Sequence, residues 1–337
     1  MLALGSALPG FPAWTQTNVA DASLLTYEAP DRSERLLAAA RKEAALTWYT
    51  SFAEKDIPVV VDPFEKKYGI KIRAWRASTE RVLQRLLAET SAGRYDVDAI
   101  HISSPEMEAL RQEKILQPVF SPHFRQLIAG AVPAHREWVA TLLSVWVQAY
   151  NTGALRKEDL PKSYRDLLAP RFKGKLGIEV EDAEWFATVA LSMGEDFQEL
   201  VAKNGISVRK GHTLLTNLVV SGEVPFALTV YNYMAEQAKR RGAPIDWIAL
   251  DPAVGRSNGM GIARHARHPN AALLFYDFFI SEAQPLLVGL DYVPTNKTAV
   301  SPLKDLPVKL VDAAQVLEQG KKWEKAFQDI VVKRSGG

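Results

Sequence analysis

The chain has 337 residues, 47% of them hydrophobic and 24% charged, with a formal net charge of +2. That length suits two domains of ordinary size, the apolar share supports a packed core, and so small a net charge leaves no electrostatic footprint for nucleic acid. Cysteine is absent, which excludes disulfides, thiolate metal sites, cysteine nucleophiles and a lipid-modified N-terminal cysteine.

The opening MLALGSALPGFPAW (1–14) is too short an apolar run to span a bilayer. It reads as the back half of a secretory signal with small residues near a cleavage point, or else as an ordinary N-terminal extension; residues 1–33 are set apart on that ground. ERLLAAARKEAAL (34–46) has the composition of a helix. TWYTS (47–51) reads as a strand, VVVDPFEKKYG as a helix closed by Gly69, and IKIRAWRA (70–77) alternates as a strand. Ser78 is placed to cap the next helix, whose Val82, Leu83, Leu86 and Leu87 share one face. DVDAIHI (96–102) is the following strand, after which Ser103 and Glu106 form an S-x-x-E capping box with Pro105 in the first turn. Three strand-to-helix units in succession predict a parallel sheet covered by helices.

The pattern returns with the strand KLGIEV (175–180), a helix capped by Asp182 and ended by Gly194, and a helix in GHTLLTNLVVSG. PFALTV (225–230) is a strand, and YNYMAEQAKRRG a helix ending at Gly242, with Lys239, Arg240 and Arg241 at the negative end of its dipole. Strands IDWIAL (245–250) and NGMGIA (258–263) and a helix over 270–280 follow. The reading is two α/β lobes with loops meeting between them. Ligands of open α/β sheets sit at the carboxyl ends of the strands, here the loops after residues 50, 77, 101, 180, 211 and 230.

The GEVP at 222–225 followed by ALTVYNY (227–233), with YTS (49–51), DPFEKKYGIKI (62–72), FKGKLGIE (172–179), HPNAALLFYDFFISEAQ (268–284) and YVPTNK (292–297), resembles the ferric-ion-binding branch of type 2 periplasmic binding proteins. The resemblance runs from about residue 36 to 333. It implies two Rossmann-like lobes joined by a hinge of crossing strands, near SVWVQAYN (144–151) and ALDPAVGRS (249–257), with the ligand in the cleft. Lobe 1 is then expected over 34–147 and 252–298, and lobe 2 over 148–251 and 299–337. It also implies a periplasmic, monomeric partner of an ABC permease, with no enzymatic activity and no required cofactor.

Fold gives the role, and the site must give the ligand. The ferric branch ligates metal through adjacent tyrosines after GEVP, because phenolate is a hard anionic donor matched to Fe(III). Here Tyr233 matches the second tyrosine, Asn232 stands in place of the first, and Tyr231 comes one residue early. The family's first-loop histidine is replaced by Phe52 and Ala53. His101, at a strand end, and Glu181 complete a candidate metal set with Tyr231 and Tyr233. Ser51, Ser78, Ser103, Ser104, Asp182, Glu184 and His212 are candidate ligand-binding residues on cleft loops. The acidic run Glu181, Asp182 and Glu184 repels an anion and suits a cation, either a metal or an ammonium group, though capping and dipole effects also account for it. The cargo is therefore expected to be Fe(III) or, alternatively, a small organic amine, phosphonate or carboxylate. No nucleophile elbow, P-loop or H-E-x-x-H marks an enzyme.

Overall fold

The computed structural model describes residues 22–301 and 303–333. The expected signal segment, residues 1–21 of the N-terminal extension, lies outside them. The strands are β1 (Ala45–Thr50), β2 (Lys71–Arg76), β3 (Ala99–Ser103), β4 (Leu116–Gln117), β5 (Trp138–Asn151), β6 (Leu176–Glu179), β7 (Ile206–Arg209), β8 (Phe226–Tyr231), β9 (Ile245–Ile248), β10 (Ala253–Ala263), β11 (Val293–Pro294) and β12 (Val308–Leu310). They hydrogen-bond in the order β2-β1-β3-β10-β5-β8-β6-β7, with β4 and β12 on β10, and β9 and β11 on β5. The outer pairs β1/β2, β1/β3, β6/β7 and β6/β8 are parallel, as the repeated strand-helix units predict. The central pair β5/β10 is antiparallel.

β5 and β10 are the crossing strands. All 14 residues of β5 are buried, which explains why its sequence WVATLLSVWVQAYN does not alternate. Its first half pairs with β10, and its second half pairs with β8 and β9. Apolar packing changes hands along it. One core gathers Trp48, Phe64, Ile100, Leu142, Met260 and Phe275, while Trp146, Trp185, Phe197 and Phe226 belong to a second and Val145, Val147 and Leu215 to a third. β10 joins the crossing segment expected near 249–257 and the strand expected over 258–263 into one strand from Ala253, and Gly255 passes under Val308 and Val145, where a Cβ would clash.

Helix boundaries follow the sequence signals closely. Gly69 adopts φ +73 and closes Ile57–Tyr68, and Ser78 accepts from the Arg81 amide at 3.4 Å to start Thr79–Ser91. Two expected caps do not form. Ser103 makes no capping bond and instead meets Thr79 Oγ1 at 3.2 Å. Asp182 likewise leaves the backbone of Ala183–Met193 uncapped. In both cases the side chain has a partner across the lobe that competes with the local amide. The helix Ala313–Phe327 packs against both Ala183–Met193 and Ser104–Gln112, so it touches elements of both lobes.

Candidate functional site

A cleft of about 650 Å3 opens between the lobes over the crossing strands. Ser51, Glu54, Lys55 and Arg76 reach it from loops after β1 and β2; Ser144 and Asn258 form its floor; Thr213, Thr216 and Asn217 come from His212–Ser221, and Tyr233, Met234, Gln237 and Arg241 from the Asn232–Arg240 helix and its end. Tyr292 closes one side, donating to Asp56 Oδ2 at 2.9 Å and packing on Tyr233 with ring centroids 4.5 Å apart. Lys55 and Gln237 hydrogen-bond across the cleft from opposite lobes.

The structure separates the residues expected to share a metal. Tyr233 lines the cleft. Tyr231 ends β8 in extended conformation and its ring stacks on Tyr233 at 5.9 Å, as needed for the two to converge, but its hydroxyl accepts from Arg256 Nη2 at 2.6 Å. Burial raises both phenols above the usual range, with Asp56 adding to the effect at Tyr233 and Arg256 opposing it at Tyr231. His101 is wholly buried in the core of lobe 1, with Nε2 2.8 Å from Thr141 Oγ1 and Nδ1 3.4 Å from Thr50 Oγ1. Glu181 is exposed and pairs with Lys210 at 3.3 Å. Asn232 faces inward, accepting from the Val145 amide at 3.2 Å and donating to the Asp291 carbonyl at 3.0 Å.

Of the serines, Ser51 lines the cleft, Ser78 serves as a helix cap, and Ser103 and Ser104 are buried. Asp182, Glu184 and His212 do come together. Asp182 Oδ1 accepts from Trp146 Nε1 at 3.0 Å and lies 3.4 Å from His212 Nε2. Glu184 Oε2 lies 3.5 Å from Arg256 Nη1. Burial is the largest influence on His212 and acts to lower its pKa, but the charge and hydrogen bond of Asp182 together with the charge of Glu179 outweigh it, so the pKa is raised. Among the described residues, Glu179, Asp182 and His212 place three donor atoms within 4.8 Å of one another. Both Glu179 oxygens are already engaged by backbone amides, those of Gly211 at 2.8 Å and Glu181 at 2.6 Å.

Sequence reasoning missed Arg76, Asn258, Tyr292 and above all Arg256. A charged residue set among small ones in GRSNG, inside a strand, was the available signal for the last.

The model of one family, "Bacterial extracellular solute-binding protein", matches residues 42–284, more than half of the chain. The chain belongs to this family. Such proteins are the solute-binding components of ABC importers. A relative from Serratia marcescens, "Fe(3+)-binding periplasmic protein", is 25% identical over 301 residues, covering 82% of this chain and 88% of its own. The iron-bound structure of HitA from Pseudomonas aeruginosa superposes with a TM-score of 0.71 at 19% identity, over 84% of this chain and 99% of that one. AfuA from Actinobacillus pleuropneumoniae, with exogenous fructose-6-phosphate bound, gives 0.71 at 20% identity, over 86% and 98%. These likenesses bear out the fold expected from sequence: an α/β chain of two lobes about crossing strands, the type II periplasmic binding protein architecture.

Proposed function

We propose that this solute-binding protein carries a small organic solute bearing hydroxyls and an anionic group. The lining of the cleft around Tyr233 carries the reading. Ser51, Ser144, Thr213, Asn217 and Asn258 offer neutral hydrogen-bond partners, and Arg76, Lys55 and Arg241 surround them with positive charge. A hard trivalent cation calls for several anionic oxygens instead. The two phenols beside Tyr233 are already engaged, Tyr231 by Arg256 and Tyr292 by Asp56, and Asn232 is committed to Val145 and Asp291. Protonated phenols, which burial favours here, serve as hydrogen-bond donors. The sugar phosphate held by AfuA is a solute of the same chemical class.

Fe(III) is the second reading, supported by the ferric relatives and by Tyr233 itself. A bound ferric ion would lower the phenol pKa through its own charge. Titration of chelator-stripped protein with fructose 6-phosphate and, separately, with ferric citrate tells the two apart. Saturable heat with the sugar phosphate and no visible absorption with iron is the expected result. A charge-transfer band that disappears in Tyr233→Phe overturns it.

The same reading makes the protein a carrier without catalytic activity and a periplasmic monomer. Its lobes, taken as 34–147 with 252–298 and 148–251 with 299–337, close over the ligand before docking on the permease. Fractionation of the host cell and small-angle scattering with saturating ligand check these points, the radius of gyration being expected to fall.

A further inference from the structure

Under the lobe division proposed above, the helix Asn232–Arg240 falls in lobe 2, and its Ala235 and Ala238 pack with Val219 and Ile245 in the third core. The turn Leu290–Tyr292 falls in lobe 1, where its three amides donate to the carbonyls of Leu287 and Val288 and Tyr292 packs in the first core. Each residue of the turn nevertheless touches the helix. Gln237 Nε2 donates to the Leu290 carbonyl at 3.0 Å and Asn232 Nδ2 to the Asp291 carbonyl at 3.0 Å. Arg240 Nη2 pairs with Asp291 Oδ1, and the Tyr292 ring packs on Tyr233. At about 100° per residue, Tyr233, Gln237 and Arg240 fall within about 60° of one another, so one stripe of the helix faces the turn. Gln237 also accepts from Lys55 of lobe 1. Asp291 is only 6% exposed and holds a left-handed φ of +66, an excursion open mainly to glycine, asparagine and aspartate.

We infer that this turn and helix form a clasp between the lobes, in which Gln237 and Arg240 are positioning residues that set ligand affinity by holding the closed form. Asn232 starts the helix beside the crossing strand β5, bonded to its Val145 amide, whereas Gln237 and Arg240 lie about 7 and about 12 Å farther along the axis. Rotation of a lobe about the hinge moves each point in proportion to its distance from the pivot. Opening therefore keeps the Asn232 bonds and breaks the two outer ones. It also frees Lys55 from Gln237 and parts Tyr292 from Tyr233, the phenol that lines the cleft. The Arg240 and Lys55 side chains are 61% and 60% exposed, so each contact alone is weak. Acting together they bias closure modestly, which suits a carrier that must open again to release its solute. A solute gripped by both lobes binds the closed form, and its apparent dissociation constant rises as the closed fraction falls. This inference rests on the proposed closure of the two lobes and holds for either reading of the solute.

The test is small-angle scattering on ligand-free protein, comparing the parent with Arg240→Ala and with Arg240→Ala combined with Gln237→Ala, circular dichroism confirming that each is folded. The radius of gyration is expected to rise in both variants, and more in the double one. Equal radii overturn the clasp, whether all three proteins are closed or all are open. Should the double variant fail to fold, Arg240→Ala, at an exposed position, carries the test. Affinity is the second readout, measured by isothermal titration with fructose 6-phosphate or ferric citrate, whichever the parent binds. Arg240 is not among the residues lining the cleft, yet Arg240→Ala should weaken binding about threefold by lowering the closed fraction. Unchanged affinity overturns the clasp as well. If neither probe binds, that counts against the solute readings and not the clasp, which the scattering alone then decides.

Discussion

Asn232 takes the place of a tyrosine that the ferric branch uses as a ligand, and the structure gives it a different task that can be measured. Its side chain is buried and joins the Val145 amide of β5 to the Asp291 carbonyl, bridging the crossing strand and the segment before β11. Asn232→Ala removes both bonds and leaves two buried backbone groups without partners. Each such group costs about 1–3 kcal/mol, so a loss of about 3 kcal/mol is a central expectation. With an unfolding entropy of about 2 cal/mol/K per residue, a chain of this size should melt about 4 °C lower. Asn232→Asp keeps the acceptor and loses the donor, and should fall between the two. The assay is thermal unfolding followed by far-ultraviolet circular dichroism, with urea unfolding as a check. A melting point within about 1 °C of the parent would refute the reasoning, because it would show that Val145 N–H and Asp291 C=O find other partners.

Arg32 and Asp277 form a buried ion pair at 2.6 Å, so Arg32→Met strands a carboxylate and should cost about 3–5 kcal/mol in urea unfolding, whereas Asp277→Asn should cost less. Gly259→Ala drives a Cβ to 2.9 Å from Met107 and Trp138 and should destabilise by about 1–3 kcal/mol by the same measure. The Glu106 carboxyl, raised to about 7 from 4.5, holds a proton in the folded state that the unfolded chain has lost, so stability should fall as pH rises from about 4.5 through 7; Glu106→Gln should flatten that slope. Burial depresses His101 to about 3, so its contribution is present above pH 6.5 and lost as pH falls towards 3; His101→Gln should make the acid limb of a pH–stability curve shallower.

The repeated strand-helix units and their punctuation were legible because local chemistry dictates them. Gly69 needs a positive φ, and Ser78 has an amide within reach. The two lobes were legible through the set of matched segments. What resisted reading were side chains whose partners lie far away in sequence. Ser103 and Asp182 look like caps, yet one is taken by Thr79 and the other by Trp146 and His212. The sequence places His101 at a strand end, where a cleft ligand belongs, but it lies in the middle of β3 and Thr141, forty residues on, holds it in the core. The acidic run at 181–184 was read as suited to a cation, and its members divide: Glu181 faces solvent while Asp182 and Glu184 face Arg256. Only the antiparallel register of β5 and β10 puts that arginine beside them, and no local pattern encodes a register between residues 144 and 256.

β5 also sets how the molecule comes apart. Its first residues are walls of one core and its last residues walls of the other two, within a single strand whose ladders to β10 and β8 each carry one irregularity. Melting either half frays the strand that the other half is built on. Receptors of this shape flex as two bodies, yet here the loss of one body withdraws the template from the other, so damage anywhere along Trp138–Asn151 is felt by the whole chain. A truncated version keeping one lobe alone would inherit half a strand with its inner edge bare, a surface prepared for pairing with the wrong neighbour.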